Sequence, residues 1–178
     1  MVRMQQKTMW RTMGLVQWVM IFAIALGVDV PAAGATGTGV KAPDFSVKTL
    51  AGEPYTKATM DGHPTLLVFW APWCKVCQRE LPVLREYYQR EKPAQLRVLS
   101  IGFADTRQRV DEFVKAREAT FVFPTAYDED NRMAREYRIN ATPTFVLVDA
   151  QGLVVMIHRG AGLLGNVQFR EFVSTLNG

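Results

Sequence analysis

The run "TLLVFW" (Thr65–Trp70) is apolar without alternation and is preceded by "DGHP", so it reads as a strand buried on both faces. Beyond Pro72 the spacing becomes helical. Leu81, Leu84 and Tyr88 fall on one stripe, while Lys75, Gln78, Arg79 and Arg85 supply polar faces. Pro82 removes one intrahelical hydrogen bond and is expected to bend this helix. Residues 97–103, "RVLSIGF", read as a second buried strand. Asp105 or Thr106 can cap the helix that follows, which turns Val110, Phe113 and Val114 inward. "ATFVFPTAYD" (119–128) reads as a returning strand segment and "NRMAREYRI" (131–139) as a short helix. "TFVLVDAQGLVVMIH" is two β runs joined by Asp-Ala-Gln-Gly, a hairpin signal. A last helix starts near Asn166 and buries Phe169, Phe172, Val173 and Leu176, and residues 44–62 add strands ahead of the central unit. Strands that alternate with helices and end in an antiparallel hairpin predict an α/β domain. Its sheet is mixed, with helices on both faces and an N-terminal strand extension.

The apolar block at residues 13–28, interrupted only by Gln17, has a different character. Arg3, Lys7 and Arg11 precede it, and Asp29, a proline and the small-x-small triplet Ala33-Gly34-Ala35 follow, the pattern of an export signal. The block is at the short end for a membrane-spanning helix, which needs roughly 17–25 residues. A cleaved signal peptide and a retained membrane tether both fit, and either places the rest of the chain on the periplasmic side of the cytoplasmic membrane. The expected organisation is residues 1–35 as signal or anchor, 36–41 as linker and 42–178 as one domain, long enough to bury a core without staples. Half of the formal charge of +4 belongs to the leader. The remainder is too small to argue for nucleic-acid binding, and that class is set aside.

The two cysteines, Cys74 and Cys77, enclose only Lys75 and Val76. A bridge across so short a loop has little value as a staple. A structural zinc site needs four ligands, and His63 and His158 are isolated from each other and from any second cysteine pair. A two-coordinate thiolate site for Cu(I) stays open as an alternative. Thiol–disulfide exchange fits best, and it calls for no cofactor. Cys74 sits at the start of a helix after a buried strand, where unpaired N–H groups and the positive helix end favour a thiolate; Lys75 acts the same way. Cys77, one turn inward, is placed to resolve a mixed disulfide.

"WCKVC" after "FWAPW", with Pro82 five residues past Cys77, resembles the thioredoxin fold. More narrowly, "APDFSVKTLAG" with "HPTLLVFWAPWCKVCQRELPVL" and "ATPTFVLVDAQG" resembles the exported TlpA/ResA-like thiol–disulfide oxidoreductases, which include DsbE/CcmG- and ScsD-related proteins. The resemblance runs from about Ala42 to the C-terminus. It implies that Cys74 is the nucleophile, Cys77 the resolving thiol, and Pro143 a cis-proline beside the disulfide with Thr142 tuning the site. It also implies a glutamate near the cysteines at Glu80. On its own, Glu80 lies three residues after Cys77 at the border of the buried stripe. Partly desolvated there, its carboxylate suits proton exchange with Cys77; as a solvated charge it would instead pair with Arg79 or Arg85. The resemblance favours the first. Trp73, beside Cys74, belongs to the face expected to meet partners. Trp70 reads equally as packing, and His63 and His158 as structural or solvated.

The resemblance further implies a protein disulfide as substrate, with the haem-attachment cysteines of apocytochrome c as the family-typical case. It also implies a membrane electron donor of the DsbD/CcdA type. One departure bears on direction. Many relatives carry proline before the second cysteine, whereas this chain has Val76 there with Lys75 before it; a valine in that place also resembles the ScsD-like proteins of copper tolerance. Lys75 stabilises the reduced thiolate and makes the pair more oxidising, and a buried, ionised Glu80 opposes it. The expected activity is therefore disulfide reduction, with dithiol oxidation and thiol-based copper binding as alternatives. A peroxidase of the peroxiredoxin type is disfavoured, because Ala71 stands where Thr or Ser would precede the reactive cysteine.

Overall fold

The computed structural model describes residues 38–91, 93 and 95–176. The apolar block at 13–28, with the cleavage pattern after it, lies outside the described residues. Among those described, no helix is long and apolar enough to cross a membrane.

Six described strands form one mixed sheet. In spatial order they are β1 (Val40–Lys41), β8 (Leu153–Arg159), β7 (Thr144–Val148), β4 (Thr65–Trp70), β5 (Arg97–Gly102) and β6 (Thr125–Tyr127). β4, β5 and β6 run parallel; β7 is antiparallel to β4, β8 to β7 and β1 to β8. A separate pair, β2 (Ser46–Lys48) and β3 (Pro54–Thr56), forms the N-terminal extension. The described α-helices are α1 (Lys75–Glu91), α2 (Arg107–Lys115), α3 (Arg132–Glu136) and α4 (Val167–Leu176). α1 continues through Pro82 as one helix.

β4 explains the architecture. Flanked by β5 and β7, it has both hydrogen-bonding edges occupied and all six residues buried. Its side chains alternate between two cores. Leu66, Val68 and Trp70 join Cys77, Leu81, Leu84 and Phe169 on one face. Leu67 and Phe69 join Leu99, Ile101 and Tyr137 on the other. A strand in this position has no solvated side, which is why the run is continuously apolar. Trp70 is core: its ring packs on Phe113 and Phe121, and its indole N–H donates to Ser100 Oγ at 2.6 Å. α2 approaches β5 at Gly102, where an added Cβ would come within 2.6 Å of a Val110 methyl.

Two boundaries differ from the sequence reading. Residues 119–124 are not strand, and pairing with β5 starts only at Thr125. Pro124 has no N–H to offer a ladder, and its carbonyl accepts the Ser100 N–H at 2.9 Å. At the other end, the stretch 36–41 read as linker contains β1, and Gly39 N–H bonds Val154 O at 2.7 Å. Without that pairing β8 would leave an open sheet edge.

Candidate active site

At the end of β4 the chain turns, with the Cys74 N–H reaching back to Ala71 O at 3.1 Å. Cys74 then occupies the N-cap position of α1. Its carbonyl accepts the Gln78 N–H at 3.1 Å, and its Sγ accepts the Cys77 N–H at 3.0 Å. The two cysteines form a disulfide with Cα atoms 5.2 Å apart. Cys74 keeps 5% of its surface and Cys77 none, so an incoming sulfur can reach only Cys74. No acidic residue stands in the first turn of α1. The positive helix end and the exposed Lys75 therefore act on the Cys74 sulfur without a competing carboxylate there. Val76 is half-buried against the cluster that holds both cysteines.

Trp73 is 56% exposed, yet its indole is anchored: Nε1–H donates to Ala104 O at 3.0 Å. Ala104 has φ 55°, an uncommon conformation for alanine. Its N–H is held by Asn131 Oδ1 at 2.7 Å. The backbone at Ala104 is thus gripped on both sides and offers a fixed acceptor to the tryptophan, whose ring faces solvent beside Cys74.

The Thr142–Pro143 peptide bond is cis. In the β4–β7 register Phe69 faces Thr144, so continuing the ladder by one residue sets Pro143 opposite Trp70. That is the strand end from which the chain turns toward Cys74. Pro143 is buried and Thr142 half-buried, and the Pro143 carbonyl accepts the Gly160 N–H at 2.8 Å.

Glu80 follows Cys77 by one helical turn on the same side of α1. It is half-buried, and its Oε2 accepts the Gly162 N–H at 2.9 Å. The carboxylate is not paired with Arg79 or Arg85; Arg85 instead bonds Glu86 and Gln89. Gly162 has φ 84°, which a glycine adopts freely and which aims its N–H at the carboxylate. Sequence reasoning missed Gly162 and Ala104, which act through backbone, and Asn131, whose side-chain Oδ1 holds the Ala104 N–H. "GAG" after a strand signals a loop but carries no side-chain chemistry. His158, read from the sequence as structural or solvated, is half-buried and hydrogen-bonded through both ring nitrogens.

The cavity of about 440 Å³ lined by residues such as Lys48, Arg107, Tyr127 and Asp128 contains none of these residues. Cys74 instead shows its small accessible edge beside the exposed Trp73, a geometry suited to a macromolecular disulfide.

Residues 38–157 match the AhpC/TSA family. The chain belongs to that family. It is 36% identical over 124 residues to the thioredoxin-like protein YneN of Bacillus subtilis (strain 168), a match spanning 68% of this chain and 71% of YneN. It is 30% identical over 126 residues to the thiol-disulfide oxidoreductase ResA of Geobacillus kaustophilus (strain HTA426), covering 71% of each. The crystal structure of a putative thiol:disulfide interchange protein DsbE from Chlorobium tepidum superposes with TM-score 0.71 at 24% identity. It covers 81% of this chain and 100% of its own, and shows the thioredoxin-like fold. This AhpC/TSA-family chain is accordingly a thiol–disulfide oxidoreductase of the ResA type.

Proposed function

We propose that the protein is an exported reductase of protein disulfides, of the kind that prepares apocytochrome c cysteines for haem attachment. One observation carries the exchange chemistry in this reading, with Cys74 as the attacking sulfur. Cys74 Sγ takes the place of an N-cap oxygen on α1, with its partner fully buried behind it. In the reduced protein the Cys74 thiolate attacks one sulfur of a substrate disulfide, and the other substrate sulfur leaves as a thiolate. Cys77 passes its proton to the Glu80 carboxylate and attacks Cys74 Sγ, expelling the second substrate sulfur as a thiolate. Two electrons have then moved from the cysteine pair to the substrate, and the Cys74–Cys77 disulfide remains. A membrane dithiol donor of the DsbD/CcdA type returns those electrons by the same exchange in reverse. Trp73 and the Thr142–Pro143 loop form the docking rim, and Lys75 and Val76 tune the potential. Residues 1–35 direct export or tether the domain from residues 13–28, leaving 42–178 on the periplasmic side.

The equilibrium reduction potential of the full chain tests the direction of flow. A value around or below roughly −270 mV agrees with a reductase fed by a membrane donor. A value near about −120 mV would make the protein a dithiol oxidase, with Lys75 outweighing Glu80, and the cytochrome reading would fall. Cu(I) binding lost in Cys74→Ser, with no disulfide turnover in the parent protein, would move the function to copper tolerance.

A further inference from the structure

The loop that meets Glu80 is held by a chain of hydrogen bonds whose donors and acceptors can be assigned without ambiguity. At one end, the Phe169 N–H of α4 can only donate, so Asn166 presents Oδ1 to it, at 3.0 Å. Asn166 Nδ2 then points at His158 Nδ1, 3.3 Å away, and must be the donor. His158 Nδ1 is therefore an unprotonated acceptor, and Nε2 carries the hydrogen. That hydrogen is donated to Ala161 O, 2.9 Å away, which can only accept. The next residue, Gly162, donates its N–H to Glu80 Oε2. Every group in the series has one consistent role, and that consistency requires a neutral imidazole in a single tautomer. A protonated ring would set two donors against each other at Asn166.

The rest of the surroundings favours a rigid holder. The His158 ring lies 5.9 Å from the Phe145 ring, between centroids, and β8 is paired with β7 along its length. Gly160, on the near side of Ala161, is tied to the carbonyl of cis-Pro143. Leu163, on the far side, is buried in the same cluster as Cys77. Ala161 itself is exposed, and its carbonyl is fixed by the His158 ring.

We propose that His158 is a positioning residue for the resolving half of the exchange reaction: by holding Ala161 it aims the Gly162 N–H at Glu80 and so keeps the carboxylate beside Cys77. The inference rests on the reading of Glu80 as the proton acceptor for Cys77. The test separates the two half-reactions in the reduced full chain, using a dinitrobenzoate disulfide as probe. Its first coloured thiolate leaves when Cys74 attacks, and its second when Cys77 closes the ring. His158→Leu should slow the second phase by about tenfold, the scale of one lost hydrogen bond to a charged group. His158→Gln, which keeps a donor for Ala161 and an acceptor for Asn166, should restore most of that rate. In a Glu80→Gln background, His158→Leu should add no further slowing.

A wild-type second phase in His158→Leu overturns the proposal. So does equal slowing with and without Glu80, or failure of glutamine to rescue, because each means that the ring serves stability alone. If Glu80→Gln leaves the second phase unchanged, the Glu80 reading falls first. If Glu80→Gln slows it and His158→Leu does not, only the present inference is lost.

Discussion

α1 and α2 begin in the same way with different atoms. Thr106 caps α2 by accepting the Arg109 N–H on its hydroxyl at 3.3 Å, and Cys74 caps α1 by accepting the Cys77 N–H on its sulfur at 3.0 Å. The other two described α-helices use an oxygen as well. The buried Asp128 carboxylate receives the Met133 and Ala134 N–H groups of α3, each at 2.8 Å, and the Asn166 amide oxygen serves α4. Oxygen is the better cap, and Ser, Thr, Asp and Asn are the residues that stabilise this position. A cysteine at the start of α1 is thus chosen for its chemistry, at some loss of cap strength. In the proposed exchange, the same N–H and helix field that steady an oxygen elsewhere favour negative charge on the reduced Cys74 sulfur.

The largest effect expected from breaking this contrast is chemical. Cys74→Ser makes α1 start as α2 does, and disulfide turnover should fall by more than about a thousandfold, as when a nucleophile is removed. The thermal midpoint should match or exceed that of the reduced parent, because serine caps well and the short bridge contributes little. A large drop in the midpoint would show that sulfur is needed for folding.

The middle effect belongs to Asp128. Removing its carboxylate in Asp128→Ala leaves two N–H groups without their acceptor and should cost about 3 kcal/mol in urea unfolding. Burial raises the Asp128 pKa above the ordinary carboxylate range, against the pull of the Ala134 and Met133 N–H groups. The folded chain then keeps its proton to higher pH than the unfolded chain does. The stability this contributes is complete below the ordinary value and is lost as pH rises through the raised one. The loss in Asp128→Ala should accordingly be greater at about pH 4 than at neutral pH. A loss that grows toward neutral pH would mean that the two N–H groups outweigh burial.

The smallest effect is Thr106→Ala, which should cost about 1 kcal/mol of stability and leave turnover unchanged. A fall in turnover would show that α2 supports the site through the Ala104 turn that holds Trp73.

The elements around the cysteines were legible because their signals are local. The continuous apolar run of β4, the switch to helical spacing after Pro72, the Asp149–Gly152 turn and the Asn166 cap each lie within a few residues of what they specify. The placement of Cys74 before Cys77 at a helix start needed only the same local reading. Strand pairing at residues 119–124 was misread for the opposite reason. Their composition suits a strand, but Pro124 has no N–H to give a ladder, and pairing with β5 begins only where its carbonyl takes the Ser100 N–H.

By itself, then, the sequence determined the α/β order, the buried central strand, and a redox pair with one reachable and one shielded sulfur. Those properties follow from hydrophobic period and helix polarity, which a short stretch of chain carries alone. Only the tertiary structure decided what Glu80 touches. Its partner is a backbone N–H 82 residues further on, aimed by a glycine with positive φ and by an imidazole in a defined tautomer. Trp73 was settled the same way, by the backbone of Ala104 held from Asn131. Backbone donors and acceptors are the same in every residue, so a sequence marks them only where folding has brought them to a side chain.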